Sequence, residues 1–368
     1  MRFGWCTRRA FAAMLAPLWL AAPQSADWRL GPFVRPSEAP VITPRPGSLF
    51  DDPLAGKPVR WEALHTFNPA AVVRNGKIYV LYRAEDDSGE MRIGMHTSRL
   101  GLAESADGIH FTRRAEPVLF AGNDAEKERE WPGGCEDPRI VESEDGTYVL
   151  TYTQWNRKKT DAAIATSRDL VHWTKHGPML GAASRYTEVS YKSAGIVTKP
   201  SGGRLVAARI AGKYWMYWGE GVIRLATSGD LIHWEPLADE HGDAVVALSK
   251  RAGHFDSSFP EVGPPPVLTP LGIVVIYNGK NAADGGDPSL AADTYSAGEA
   301  LFAADNPAKL IARTDQPVFK PELPFEKTGQ YAAGTTFAEG LVLFHDQWFL
   351  YYGCADSSVG VARSGALH

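Results

Sequence analysis

The sequence predicts an all-β chain folded as a five-bladed β-propeller, and three observations carry that expectation. Five hairpin-like pairs of β-rich runs recur along the chain. A phrase of the form Ser-x-Asp-x-x-His-aromatic returns at a nearly fixed interval. Glycine (36) and proline (26) are abundant, and no helical heptad is evident. Short strands joined by tight turns and repeated with a constant period are the pattern of propeller blades.

Residues 1–26 stand apart. Arg2, Arg8 and Arg9 precede an apolar run from Ala10 to Ala22, and the first acid is Asp27. That is the charged and apolar order of an export signal, too short for a spanning helix. Thr7-Arg8-Arg9-Ala10-Phe11 has the look of a twin-arginine signal, so the expected location is periplasmic or secreted. Loss of this segment removes three arginines and no acid, shifting the formal charge from −5 to −8. Such a balance favours neither nucleic acid nor an anionic membrane as partner. Residues 27–60 are Pro-rich and weakly periodic and read as an N-terminal strap. Residues 61–368 form the expected propeller.

The first hairpin joins Ala70-Ala-Val-Val to Ile78-Tyr-Val-Leu-Tyr through Asn75-Gly76, the strongest short hairpin signal. The second joins Arg139-Ile-Val-Glu to Tyr148-Val-Leu-Thr-Tyr. The third joins Ala194-Gly-Ile-Val to Leu205-Val-Ala-Ala, and the fourth joins Pro266-Val-Leu-Thr to Ile273-Val-Val-Ile-Tyr. The fifth joins Leu341-Val-Leu-Phe to Trp348-Phe-Leu-Tyr-Tyr. The recurrent phrase places its histidines at His110, His172 and His233, 62 and 61 residues apart. They read as blade-packing residues. Cys135 and Cys354 read as two buried thiols, and with no thiol cluster neither a Cys-rich zinc site nor any other metal or cofactor is expected.

Innermost strands of a propeller converge on one channel, so residues at strand entries and exits gather at its mouth. Asn68, Asp137, Lys192, Ser193 and the segment from Glu261 precede hairpins. Arg83, Trp155, Glu220, Asn278 and Asp356 follow second strands. Polar groups at equivalent places point to a site. The clearest stretch is Trp131-Pro-Gly-Gly-Cys-Glu-Asp-Pro-Arg139: Pro138 pushes Asp137 toward an extended shape, and two carboxylates stand at a strand mouth.

Gly134-Cys-Glu-Asp-Pro-Arg139 resembles the signature of glycoside hydrolase family 130. Asn68-Pro-Ala, Tyr82-Arg-Ala, Lys192-Ser-Ala, Gly263-Pro-Pro-Pro and Tyr352-Gly-Cys-Ala-Asp356 are similar to its other motifs. The resemblance implies a five-bladed propeller acting on β-mannosides, either as an inverting phosphorylase or as an inverting hydrolase. It implies Asp137 as general acid, working through the sugar 3-hydroxyl. It also implies Asn68, Arg83, Asp86, Lys192 and Asp356 as sugar ligands. Phosphorylases of the family carry cationic or phosphate-facing groups where this chain has Glu220, Glu261 and Asn278, and the His-Arg-Pro phosphate element is absent. Two carboxylates repel phosphate and can deprotonate water. Glu220 and Glu261 are therefore the expected base pair, with Arg139 orienting or balancing them and Glu188 as a competitor. A ring among Trp215, Tyr217 and Trp218 is expected on the sugar face, and residues 283–288 as a lid.

The reading is an exported inverting β-mannosidase acting on β-1,2-linked, mannose-containing oligosaccharides. A phosphorylase, a non-catalytic sugar-binding propeller and a furanosidase on a similar scaffold are the alternatives; the oligomeric state is not legible.

Overall fold

The computed structural model describes Met1 and residues 27–181, 185–186 and 189–365. The segment expected to direct export, apart from Met1, and Glu188 lie outside those residues. The described chain is all-β, with one four-residue helix, Lys127–Glu130, and one 3-10 turn, Pro324–Glu326. No described helix is long and apolar enough to cross a membrane.

Strands follow one another in antiparallel units. The first unit contains His65–Arg74, Lys77–Glu85, Ser98–Ser105 and Thr112–Arg113. The second contains Gly134–Glu142, Tyr148–Trp155, Thr160–Ser167 and Thr174–Pro178. The third is built on Ala194–Ile196, Lys213–Trp218, Ile223–Ser228 and Trp234–Pro236. The fourth holds Phe259–Val262 and Val267–Thr269 against Gly272–Lys280, then Tyr295–Phe302 and Leu310–Arg313. The fifth holds Thr336–Phe344, Gln347–Cys354 and Ser358–Gly365. The third hairpin keeps its turn at Gly202-Gly203 but not its first arm: Thr198–Ser201 pairs with Arg204–Ala207, while Ala194–Ile196 pairs with Lys213–Trp218. It joins neighbouring units instead of completing its own: it pairs in parallel with Gly134–Glu142 on one side and Val267–Thr269 on the other.

Each unit is buried on both faces, and strand periodicity shows why. Successive side chains alternate between faces. In Lys77–Glu85, Ile78, Val80 and Tyr82 enter one apolar cluster, shared with the fifth unit. Leu81 enters another, shared with the second unit. Further clusters join the second unit to the third, the third to the fourth and the fourth to the fifth. The circuit is closed, last unit packing on first. Each fully buried Leu, Ile or Val is worth roughly 1.5–3 kcal/mol.

The 27–60 segment is stitched into that closure. Val34 pairs with Arg363 and Ile42 with Val359, both antiparallel, so the strap extends the edge of the last unit.

The recurrent Ser-x-Asp phrase forms the same turn three times. Asp107, Asp169 and Asp230 each accept from the histidine Nδ1, at 2.7, 2.7 and 2.8 Å. The His110, His172 and His233 side chains are about 85% exposed, so they close turns and do not pack blades. Residues 283–288 are not a lid over the site. Asn281 gathers them by donating to the carbonyls of Asp287, Leu290 and Ala291.

Candidate active site

Strand entries carry the site because their backbones are irregular there. The register of His65–Arg74 slips between Phe67 and Pro69, leaving Asn68 bulged with φ of 43°. Gly134–Glu142 slips between Glu136 and Arg139, leaving Asp137 at φ of 45°. Thr336–Phe344 slips at Glu339. Bulges re-aim side chains, and a non-glycine residue in the left-handed region costs roughly 1–3 kcal/mol, a strain found at functional sites. The glycine pair has two separate duties. Gly134 takes a positive φ of 104°, while a Cβ on Gly133 would meet the Trp155 ring at 2.2 Å.

These entries surround a cavity of about 330 Å³. Phe67, Trp155, Tyr295, Tyr331 and Phe337 supply apolar rings, and seven charged groups supply polarity. Rings beside convergent polar groups suit a sugar.

One charged cluster is built around Arg83. Its guanidinium contacts Glu85 at 2.6 Å, Glu136 at 2.8 Å and Asp137 at 3.1 Å. Asn68 Nδ2 donates to Asp137 Oδ1 at 2.8 Å. Burial pushes Asp137 up, but Arg83, Lys192 and Arg139 outweigh it and hold the carboxyl at about 2. Glu136 goes the other way: burial, with the Asp137 charge beside it, raises it to about 7 despite Arg83. The pair therefore holds one proton near neutrality, and it sits on Glu136. Burial likewise lifts Asp356, on the cavity wall, to about 7.

The other cluster is built around Lys192, whose Nζ stands 3.5 Å from Glu220 and 3.5 Å from Glu261. The two glutamates face each other across an antiparallel bridge. Ser193, at φ of 59°, donates to Glu261 Oε1 at 2.5 Å. The other oxygen of Glu261 is buried with no hydrogen-bond partner. Burial raises Glu261 to about 7, with Glu220 adding to the shift and Lys192 opposing it. Glu220 is partly open, its side chain 39% exposed.

Seven of the residues expected from sequence line the cavity: Asn68, Arg83, Asp137, Lys192, Glu220, Glu261 and Asp356. Asp86, Arg139 and Asn278 do not. Asp86 is buried and bound to Arg99 at 2.8 Å. Asn278 is fully buried, with its amide exchanging two hydrogen bonds with the Ala338 main chain at 3.0 and 2.8 Å. It cannot offer that amide to a sugar or an anion. Arg139 makes no direct ion pair with Glu220 or Glu261, although its charge opposes the upward shift of Glu261. It pairs with Glu339 at 2.6 Å and donates to the carbonyls of Val262 and Gly263, fixing the backbone beside Glu261. None of Trp215, Tyr217 and Trp218 lines the cavity; Trp218 faces a neighbouring hollow that shares Glu220. The sequence reading assigned no role to Glu85, Glu136, Glu339, Tyr295 or Tyr331. Glu136 alone had a signal, its place beside Asp137 in the motif.

A family model, Glyco_hydro_130, described as β-1,4-mannooligosaccharide phosphorylase, matches residues 37–366. The chain belongs to glycoside hydrolase family 130. Among curated family 130 relatives, the chain is 32% identical over 332 residues to a 1,2-β-oligomannan phosphorylase of Thermoanaerobacter sp. (strain X514), covering 89% of this chain and 95% of that one. Among solved structures, a glycosyl hydrolase from Bacteroides ovatus is 50% identical with a TM-score of 0.90, over 93% of this chain and 96% of that one. Another, 51% identical with a TM-score of 0.90 over 92% and 95%, is described as "The GH130 family of mannoside phosphorylases contains glycoside hydrolases that target beta-1,2 mannosidic linkages in Candida mannan".

Proposed function

We propose that this chain is an exported, inverting β-mannosidase that hydrolyses β-1,2-linked mannosides, built as a five-bladed propeller. One observation carries the hydrolytic reading. The cavity wall holds five carboxylates, Glu136, Asp137, Glu220, Glu261 and Asp356, against two cations, Arg83 and Lys192. Both cations are already paired with carboxylates. A phosphate dianion would meet a wall of like charge, whereas water needs a base.

Glu261 suits that base. It is buried, its carboxyl is poised near neutrality, and one oxygen is unpartnered. Glu220 raises its basicity and, being open, guides water. Asn68 and Arg83 hold Asp137 at the sugar. The proton that reaches the leaving oxygen through Asp137 and a sugar hydroxyl is drawn from the Glu136–Asp137 pair. The closed circuit of apolar clusters and the strap pairing support the five-bladed reading. The arginine-bearing apolar leader supports export.

A phosphorylase is the second reading, favoured by the printed activity of the 32% identical relative and by Lys192 in the cavity. The two separate in one experiment. The chain from residue 27 onward is incubated with β-1,2-mannobiose, with and without inorganic phosphate, and products are followed by proton NMR. The expected result is α-mannose released at a rate indifferent to phosphate. Phosphate-dependent formation of a mannose 1-phosphate would overturn the hydrolytic reading.

A further inference from the structure

Outside the cavity, His65, Glu85 and His96 converge, with one potential ligand atom from each within 4.8 Å of the other two. Their sequence spacing hides this, since they come from two strands and a loop. Hydrogen bonds settle the histidine tautomers. His96 Nδ1 lies 3.1 Å from the carbonyl of Ser88, which can only accept, so Nδ1 carries the proton and Nε2 the lone pair. His65 Nδ1 lies 3.1 Å from Ser357 Oγ, whose own proton is turned to the Ala355 carbonyl at 3.2 Å. His65 Nδ1 is then the donor as well, and its Nε2 is left as an acceptor. A histidine whose second nitrogen is tied to a carbonyl or hydroxyl is the form in which imidazole binds metal.

The cluster thus offers two imidazole lone pairs beside a buried carboxylate, whose oxygens already accept from Arg83 at 2.6 Å and Gln330 Nε2 at 3.1 Å. Arg83 divides its charge among three carboxylates, Glu85, Glu136 and Asp137. We propose that His65, Glu85 and His96 bind one divalent transition cation of the zinc type, with water completing the coordination. Imidazole and carboxylate suit such an ion, and ligands about 2.1 Å from a tetrahedral centre stand about 3.4 Å apart. The widest separation draws in by up to about 1.4 Å to reach it. The ion fastens a loop. His96 and Ser88 close the base of the segment whose Ile93 and Gly94 line the sugar cavity, and Gly94 accepts from Trp155 Nε1 at 2.8 Å. It also fixes Glu85 against Arg83.

The test needs no substrate, so its outcome is independent of the hydrolytic reading. The chain from residue 27 is stripped with EDTA, then titrated with Zn²⁺ by calorimetry and with Co²⁺ by visible spectroscopy. One equivalent of each is expected, with tetrahedral d–d bands for cobalt and a melting temperature raised by several degrees. His65→Ala and His96→Gln should each weaken binding at least 100-fold. Absence of stoichiometric binding, or full binding in both variants, overturns the proposal. If the variants do not fold, the wild-type cobalt spectrum decides, and no d–d bands means no site.

Discussion

The cavity has two charged clusters, and they are held in opposite ways. Around Arg83 the contacts are short and numerous: three carboxylates share one guanidinium, and Asn68 secures Asp137 from a second strained bulge. Around Lys192 both ion contacts are 3.5 Å, Glu220 is partly open, and an oxygen of Glu261 has no partner. The carboxylates of the first cluster are committed before any ligand arrives, although Asn68 Oδ1 beside them is buried without a partner. The second keeps unfilled hydrogen-bonding capacity beside a carboxyl poised near pH 7. A rigid sugar clamp and an adaptable water-activating edge need different local chemistry, and a fully satisfied network cannot act as a base.

The contrast can be broken by mutation. Asp137→Asn should have the largest effect, about 10³–10⁴-fold in kcat/KM on β-1,2-mannobiose, because it removes the acid and unsettles the Arg83 cluster. A much smaller loss with an activated aryl mannoside would place the defect in leaving-group protonation; equal losses on both substrates would sink that role. Glu261→Gln should lower kcat by about 10²–10³-fold with KM nearly unchanged. Glu220→Gln should cost about tenfold. If the order of the two glutamates is reversed, the buried residue is not the base.

A smaller, global effect follows from the raised carboxyls. Glu136, Glu261 and Asp356 ionise near 7 in the fold and near the ordinary 4.5, 4.5 and 3.8 when unfolded. Between those values the folded chain binds more protons, so their contribution is complete below about pH 4 and is lost as pH rises toward 7. Asp137, held at about 2, acts oppositely: its contribution is present above 3.8 and disappears as pH falls toward 2. The melting temperature should peak near pH 4–5 and decline toward pH 8, less steeply in Glu261→Gln. A flat or rising curve from pH 5 to 7 would contradict the burial argument. The smallest effect belongs to the exposed turn histidines: His172→Ala should change stability by less than about 0.5 kcal/mol in urea unfolding.

The sequence made the hairpins and most of the cavity wall readable for local reasons. Asn75-Gly76 specifies its own turn, and Pro138 marks the strand entry, although Asp137 before it is left-handed at φ of 45° and not extended as expected. What escaped depends on partners far along the chain. Asn278 occupies a strand-end position like that of Arg83, yet it turns to the Ala338 main chain in the next unit. Arg139 balances Glu261 only from a distance, because Glu339, displaced at a bulge, takes its direct ion pair. No periodicity foretells a register slip. Glu136 was in plain view, but its raised ionisation comes from burial beside Asp137, which composition cannot express.

The strap has a consequence for how the molecule comes into being. Val34 and Ile42 find their strand partners at Arg363 and Val359, over three hundred residues later. Until translation is nearly finished, the opening unit has no closing neighbour, and Ile78, Val80 and Tyr82 face water instead of Val342, Phe349 and Tyr351. Removal of the strap or of the last strand, Ser358–Gly365, would leave an unpaired strand edge as well as an open apolar face, the combination that invites self-association. The strap and the closing strand are thus the fastening of the whole body.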